Sequence, residues 1–367
     1  MQMSDFYSGL RDSVGDRPLL VVLGVCVLIL LIDLVRQLSS GALPARNLAI
    51  FLKNGIVLGL IVGLAGVGLS MIYSILGFAN FAHGDYLTTG AFAGWITSYM
   101  IAGFGAFGLG DLFLIGIAGD ATTVGVGAGV ATTPIAILAG LLVAIVFTVF
   151  LSVAIDRLIY SRLRDEEGIT LVFTSLGVAL VLRYLIAFVW GQNSTGLTST
   201  AEPKFSISSI GLQINAHEIT VAVCSLLLMF AVHYLLQYTK LGIAMRAMAD
   251  NRDLASVTGI PTDRIVRSTW VIGGGLTGAA GYLMTLESGT LAFNTGWTLL
   301  LLIFAAVILG GIGSIYGAIF GGLLIGVAST VSLVWLPSGF TQAAAFALMI
   351  VVLIVRPNGL FGGVTTA

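Results

Sequence analysis

Asn80, His83, Asp85 and Arg183 carry chemistry that is out of place in the long apolar runs around them. Polar and ionisable groups are expensive in lipid, so each is a functional candidate by default. The first three fall in one stretch, Gly77 to Asp85 (GFANFAHGD). At 100° per residue, Asn80, His83, Gly84 and Leu87 share a helix face, and Phe81, Asp85 and Thr88 share the neighbouring one. Asn80 and His83 can hydrogen-bond across to another helix or hold a solute; the plainer role for His83 is a satisfied packing residue. Arg183 lies near the middle of its run, where it can snorkel, pair with an acid or attract a carboxylate. Glu287 ends a later run, placed to meet the ammonium of an amino acid. Asn80, His83, Asp85 and Glu287 are thus the candidate substrate-pathway residues.

Other chemistry is missing from the sequence. The three histidines, His83, His217 and His233, have no second ligand at useful spacing, which excludes a metal site. Cys26 and Cys224 sit in apolar runs and read as small buried hydrophobes rather than a disulfide. No nucleophile stands beside a base, so no catalytic residue is assigned. No Gly-x-x-x-x-Gly-Lys-Ser/Thr phosphate loop occurs. The chain is expected to bind no cofactor of its own. With a net charge of −1, it has no field to recruit nucleic acid.

What positions the candidates is a set of oily helices. Of 367 residues, 57% are hydrophobic and 9% charged, against roughly a quarter charged in a soluble domain. Lipid is the solvent, and backbone in lipid must satisfy itself within helices. The fold class expected is an all-α polytopic transmembrane bundle. Nine spans are predicted at 18–35, 54–73, 133–155, 169–190, 218–238, 267–286, 297–313, 316–335 and 340–356. A re-entrant or broken helix is predicted within 76–103, with its break near Asn80 to Asp85. Arg17 and Arg36 bracket the first span, and no small-residue cleavage site follows it, so it reads as retained. By the positive-inside rule, the loops 36–53, 156–168 and 239–267 and the end at Arg356 read as cytoplasmic, with the N-terminus outside. The Gly/Ala/Thr-rich stretch 104–132, carrying Asp111 and Asp120, reads as an outer loop or weak interfacial helix.

Glycine is abundant, at 48 residues, and periodic. Gly55, Gly59 and Gly63 recur every four residues, as do Gly313, Gly317 and Gly321; Gly274 pairs with Gly278 and Gly322 with Gly326. On helices this spacing makes grooves that let backbones meet. They serve static packing, or flank a pathway whose helices slide. The segment 239–267 reads as a short amphipathic helix, stopped by Gly259 with Pro261 beyond. Ala244, Ala247, Met248, Leu254 and Ala255 take one face, and Arg246, Asp250 and Asp253 the other. It is a solvated connector or a dock for a soluble motor.

Four stretches carry a family resemblance: GFANFAHG (77–84), LGIAMRAMADNRDLASVTGI (241–260), LGGIGSIYGAIFGGLLIG (309–326) and RPNGLFG (356–362). The sequence resembles the inner-membrane permeases of branched-chain amino acid ABC importers, most closely the smaller of their two paired permeases. The resemblance implies a permease domain over 49–362, an additional N-terminal extension over 1–48 and a tail over 363–367; the insertion 104–132 is also additional. It implies a second homologous permease, two ATP-binding subunits that carry ATP and Mg, and an extracytoplasmic solute-binding protein. Segment 241–260 would face the ATPases, with Arg246, Ala247, Asp250, Ala255 and Gly259 matching the family pattern. The solute would be Leu, Ile or Val, or urea or a short-chain amide in closely similar permeases, moved by alternating access in the cytoplasmic membrane. Two other classes compete: an ion-coupled secondary transporter, for which Asp85 is the one acid at hand, and a membrane enzyme or electron carrier.

Overall fold

The computed structural model describes residues 18–104, 127–164, 166–196, 203–207 and 211–362. Helices occupy all nine expected positions: α1 (Pro18–Ser39), α2 (Ala45–Leu76), α4 (Pro134–Leu158), α5 (Gly168–Trp190), α6 (Ala216–Tyr238), α9 (Thr262–Ser288), α10 (Thr295–Gly310), α11 (Ile315–Val331) and α12 (Thr341–Val355). The doubtful element is α3 (His83–Ala102), and the polar segment 239–261 holds α7 (Lys240–Asp250) and α8 (Arg252–Val257). Six segments, built on α2, α4, α5, α6, α11 and α12, are long and apolar enough to cross a membrane; α10 is shorter. Strand among the described residues is confined to two ribbons. One pairs Thr195–Gly196 with Thr290–Leu291, the other Lys204–Ile207 with Leu212–Asn215. Most of the 104–132 insertion, the far N-terminus and the 363–367 tail lie outside the described residues.

α2 and α9 form the buried centre, and α5, α6 and α12 ring it with largely exposed apolar faces. At one end lie the basic connections 159–167 and 239–261, joined where Arg164 pairs with Asp156 at 2.7 Å and Asp263 at 3.2 Å. The motif RPNGLFG folds under the same end. Leu360 and Phe361 donate backbone N–H groups, at 2.9 Å, to the carbonyls of Leu309 and Gly310. These are the orphan acceptors that a helix C-terminus leaves, so the motif caps α10.

One expectation is overturned here. The loop 36–53 does not share an end with 156–168 and 239–267. Lys53 Nζ reaches Glu218 Oε1 at 2.6 Å and the Gln213 carbonyl at 3.1 Å, and Arg46 lies beside Gly211. All three partners precede or begin α6, whose far end leads to the basic segment. The physical reason is the path of α3. It runs from the break to the opposite end, where Ser98 bonds the Ala136 carbonyl and Tyr99 the Gly196 carbonyl. Two helices, not an odd number, therefore lie between Lys53 and the 104–132 insertion.

The glycines separate into three seams. Gly55, Gly59 and Gly63 of α2 face α11, where a Cβ on Gly322 would lie 2.5 Å from Gly63 and one on Gly59 would lie 2.8 Å from Leu323 Cα. Gly317 and Gly321 look the other way, to Gly310 and Ala306 of α10. Gly274 and Gly278 of α9 meet Thr148, Ser152 and Ala144 of α4. Gly313 departs from its expected role: with φ +88° it sits in the turn before α11, not on a helix. Its side-chain-free backbone makes the turn, because a Cβ resists that conformation.

Candidate functional site

The middle of the molecule is organised by a gap between helices. α2 ends at Gly77, whose φ of 74° turns the chain, and helix resumes only at His83. Backbone that leaves a helix inside a membrane protein must find partners in protein, and here side chains provide them. Asn80 Oδ1 accepts from the Ala82 N–H at 3.1 Å, and Ser175 Oγ of α5 accepts from the Phe81 N–H at 3.0 Å. Asn80 thus belongs to the break, where it is expected, and not to a helix face shared with His83 and Leu87, whereas His83 to Asp85, also expected in the break, stand in the first turn of α3.

His83 and Asp85 stand in the first turn of α3 and point to different neighbours. The His83 ring is fully buried, with Nε2 2.9 Å from the Ala65 carbonyl of α2 and 3.2 Å from Thr277 Oγ1 of α9. Asp85 is fully buried and meets Arg183 in a two-pronged pair: Nε to Oδ1 at 3.1 Å and Nη2 to Oδ2 at 2.9 Å. The guanidinium also lies 4.3 Å from the centre of the Trp297 ring on α10. Planar bidentate geometry and an aromatic face are the two partners that suit a poorly hydrated guanidinium. The site therefore ties α3, α5 and α10 at one point. Arg183 was read with pairing as one option among three; its acid partner and Trp297 were not foreseen. The available signal was the rarity of charge at matching depth in two apolar runs.

Toward the basic end, Tyr160 stacks on Trp270 with ring centres 5.3 Å apart, and its hydroxyl donates to Asn80 Oδ1 at 3.4 Å. Asn80 Nδ2, Tyr86 Oη and Trp270 Nε1 are buried there without partners among the described residues. Glu287 is remote from this group. It lies ten residues along α9 from Thr277, about 15 Å at helical rise, and its Oε2 is buried without a partner. The charged groups that act on Glu287 are Glu218 and Lys53. Among the described residues no group of three or more His, Cys, Asp or Glu side chains converges on a metal position.

The polar segment is two helices, not one. Asn251 breaks it and caps α8, accepting from the Leu254 N–H at 2.9 Å. Its buried contacts are Gly242, Met245, Met248 and Ala255, while Leu254 faces out. The expected apolar face therefore holds at Met248 and Ala255 and fails at Leu254, because the break rotates α8 relative to α7. Arg246 is tied back to Gln237 at 3.0 Å, and Gly259 takes φ +85°. Ala247 is half-buried and Asp250 exposed. Ile243, Leu254 and Val257 are 57%, 60% and 80% exposed on this hydrophilic end.

Comparison with known proteins agrees with this architecture. The model of the family described as "Branched-chain amino acid transport system / permease component" matches residues 51–355. The high-affinity branched-chain amino acid transport system permease protein LivH of Salmonella typhimurium is 30% identical over 312 residues, covering 84% of this chain and 94% of its own. LivH of Escherichia coli is 29% identical over the same shares. BraD of Pseudomonas aeruginosa, with the same description, is 27% identical over 85% of this chain and 94% of its own. No solved structure matches. A multi-pass helical bundle of the cytoplasmic membrane, with a family match that spans from α2 to the end of α12, leaves one assignment: the chain belongs to the branched-chain amino acid transport permease family.

Proposed function

We propose that the chain is the membrane-spanning permease of an ATP-driven importer, passing branched-chain amino acids across the cytoplasmic membrane by alternating access. Its partners are a second homologous permease, two ATP-binding subunits that hold ATP and Mg, and an extracytoplasmic solute-binding protein. The observation that carries this reading is the exposed trio Ile243, Leu254 and Val257. These side chains sit among Lys240, Asp250, Arg252 and Asp253, on a segment too polar to lie in lipid. Exposed apolar side chains in such a place mark a protein contact. α7 and α8 pack against α6 and α9, so force applied to them reaches the centre of the bundle. The names of the LivH and BraD relatives support the solute.

In this reading the basic end faces the cytoplasm. Counting the nine predicted spans and the broken α3 as ten crossings puts the start of α1 and the end of α12 on the same, inner side. Asn80 and Glu287 border the route at its two ends, each offering an atom without a partner among the described residues. His83 and Asp85 hold the broken helix between them. The ion-coupled alternative was built on Asp85, and Asp85 is engaged by Arg183; the uptake measurement below tests what remains of it.

Cysteine at Leu254 or Val257, in membranes containing the whole importer, is expected to crosslink to the ATP-binding subunit. Leucine uptake is expected to persist when the proton gradient is collapsed and ATP kept high. Uptake that stops with the gradient, or a coupling segment that never captures an ATPase, would sink the proposal.

A further inference from the structure

Four polar side chains from three helices meet at the basic end of the bundle. Arg246 Nη1 of α7 lies 3.0 Å from Gln237 Oε1 of α6. Gln237 Nε2 lies 3.2 Å from Tyr316 Oη of α11, and that hydroxyl lies 2.6 Å from His233 Nδ1 of α6. All four side chains are half-buried. The rings of Phe230 and Tyr238 flank His233, with centres 6.1 and 6.3 Å away.

Arg246 sets the sense of every bond in this network. A guanidinium donates and never accepts, so the Gln237 amide turns its oxygen to Arg246 and its NH₂ to Tyr316. The Tyr316 oxygen accepts on that side, which leaves its O–H to donate to His233 Nδ1. The His233 ring then carries its proton on Nε2. Without Arg246 the amide can turn over and present its oxygen to Tyr316. The hydroxyl then donates to Gln237 and leaves His233. The network thus has two arrangements, and Arg246 selects between them.

What the network holds leads to the broken helix. Tyr316 stands in the first turn of α11. In the turn just before it, the Gly313 carbonyl accepts from Ser74 Oγ at 3.0 Å. Ser74 lies in the last turn of α2, three residues before Gly77 ends that helix. α11 also lies against α2 along the glycine seam, so a displacement of Tyr316 is passed to the end of α2. α7 packs against α6, α9 and α2, and reaches α11 through this chain of bonds.

We propose that Tyr316 is a positioning residue of the transport cycle, the latch by which the coupling segment holds α11. A carboxylate of a docked ATP-binding subunit offers Arg246 a two-pronged partner, stronger than a single amide oxygen. When Arg246 turns to it, Gln237 reverses, Tyr316 lets go of His233, and α11 moves together with the end of α2. The proposal rests on the proposed function for the motor and names the side chains that carry its force to the break.

The test measures leucine uptake and ATP hydrolysis together in the complete importer, purified and reconstituted in vesicles. Tyr316→Phe keeps the ring and removes the hydroxyl. The ATP hydrolysed per leucine imported is expected to rise about threefold or more, the scale of one hydrogen bond of ordinary net strength. The melting temperature is expected to stay within a few degrees, and a cysteine at Val257 still to crosslink to the ATP-binding subunit. His233→Asn puts an amide oxygen near the place of Nδ1 and is expected to keep the wild-type ratio, whereas His233→Leu behaves as Tyr316→Phe does. A wild-type ratio in Tyr316→Phe overturns the proposal while the proposed function stands. So do equal ratios in the two His233 variants, or a ratio that rises only where the melting temperature collapses, since both describe packing alone. A wild-type importer that takes up no leucine with ATP present, or whose Val257 cysteine never reaches an ATPase, fails at the earlier step instead.

Discussion

The seam between α2 and α11 and the attachment of α5 answer the same problem in opposite ways. Lipid is as apolar as leucine, so helices gain nothing by hiding oil from it and must hold together by shape or by polar bonds. The seam uses shape: Gly55, Gly59 and Gly63 lie against Gly322 and Gly326 with backbone touching backbone. α5 uses points. Arg183 grips Asp85, Ser175 accepts from Phe81, and Trp190 stacks on Phe92 with ring centres 4.9 Å apart. Between those points an apolar cavity of about 540 Å³, lined by Ala93, Met100, Phe147, Leu182 and Ile186 among others, separates α5 from its neighbours. A continuous backbone seam has one arrangement. A helix held at a few points keeps the others when one is removed, so α2 and α11 are joined by a continuous backbone seam and α5 by separate attachments.

The largest effect expected from breaking that contrast lies in the seam. Gly322→Leu places a Cβ 2.5 Å from Gly63, where the obstacle is backbone and cannot swing aside. Overpacking a core costs about 1–3 kcal/mol when side chains can adjust; here the cost exceeds that range. The purified variant is expected to lose its cooperative thermal unfolding transition. A variant melting within a few degrees of the wild type would show that α11 can slide on α2.

The second effect is smaller and partly recoverable. Asp85→Asn strands the Arg183 charge, and removing one partner of a buried pair costs about 3–5 kcal/mol. Arg183→Met strands Asp85 instead. The double variant is expected to recover part of the lost melting temperature, because it leaves no orphan charge and only an uncharged amide without its partner. Additive losses would show that the pair does not hold α5.

How much of this the sequence shows depends on distance along the chain. The groove of Gly55, Gly59 and Gly63 is legible because one helix fixes its own faces. Its partner is not: Gly317 and Gly321 have the same spacing as Gly322 and Gly326 but are turned toward α10, and only assembly separates the two registers. The break is legible too, since Gly77 and Asn80 act on their own neighbours. The Asp85–Arg183 pair spans 98 residues and depends on how α3 and α5 lean together, which no local pattern encodes. The side of the loop 36–53 was misread for a related reason. Basic residues report a side only once the number of crossings between them is fixed, and the crossing made by α3 reverses every assignment upstream. Leu254 shares this character, since the one-residue break at Asn251 sets how α8 lies against α9.

The smallest expected effect probes the free side of α5. Gly177 is exposed there, and a Cβ added to it meets nothing within 4 Å. Glycine inside a helix is worse than alanine by about 0.5–1 kcal/mol, so Gly177→Ala is expected to stabilise the isolated chain by that amount or less. The same glycine type thus gives opposite signs on the two helices, destabilising when filled in the seam and stabilising when filled on α5. Measuring the substitution twice, in the purified chain and in the assembled importer, sharpens the point. Equal rises in melting temperature mean that α5 looks onto lipid in the working complex. A rise in the chain alone, reversed in the complex, means that a partner helix lies against Gly177.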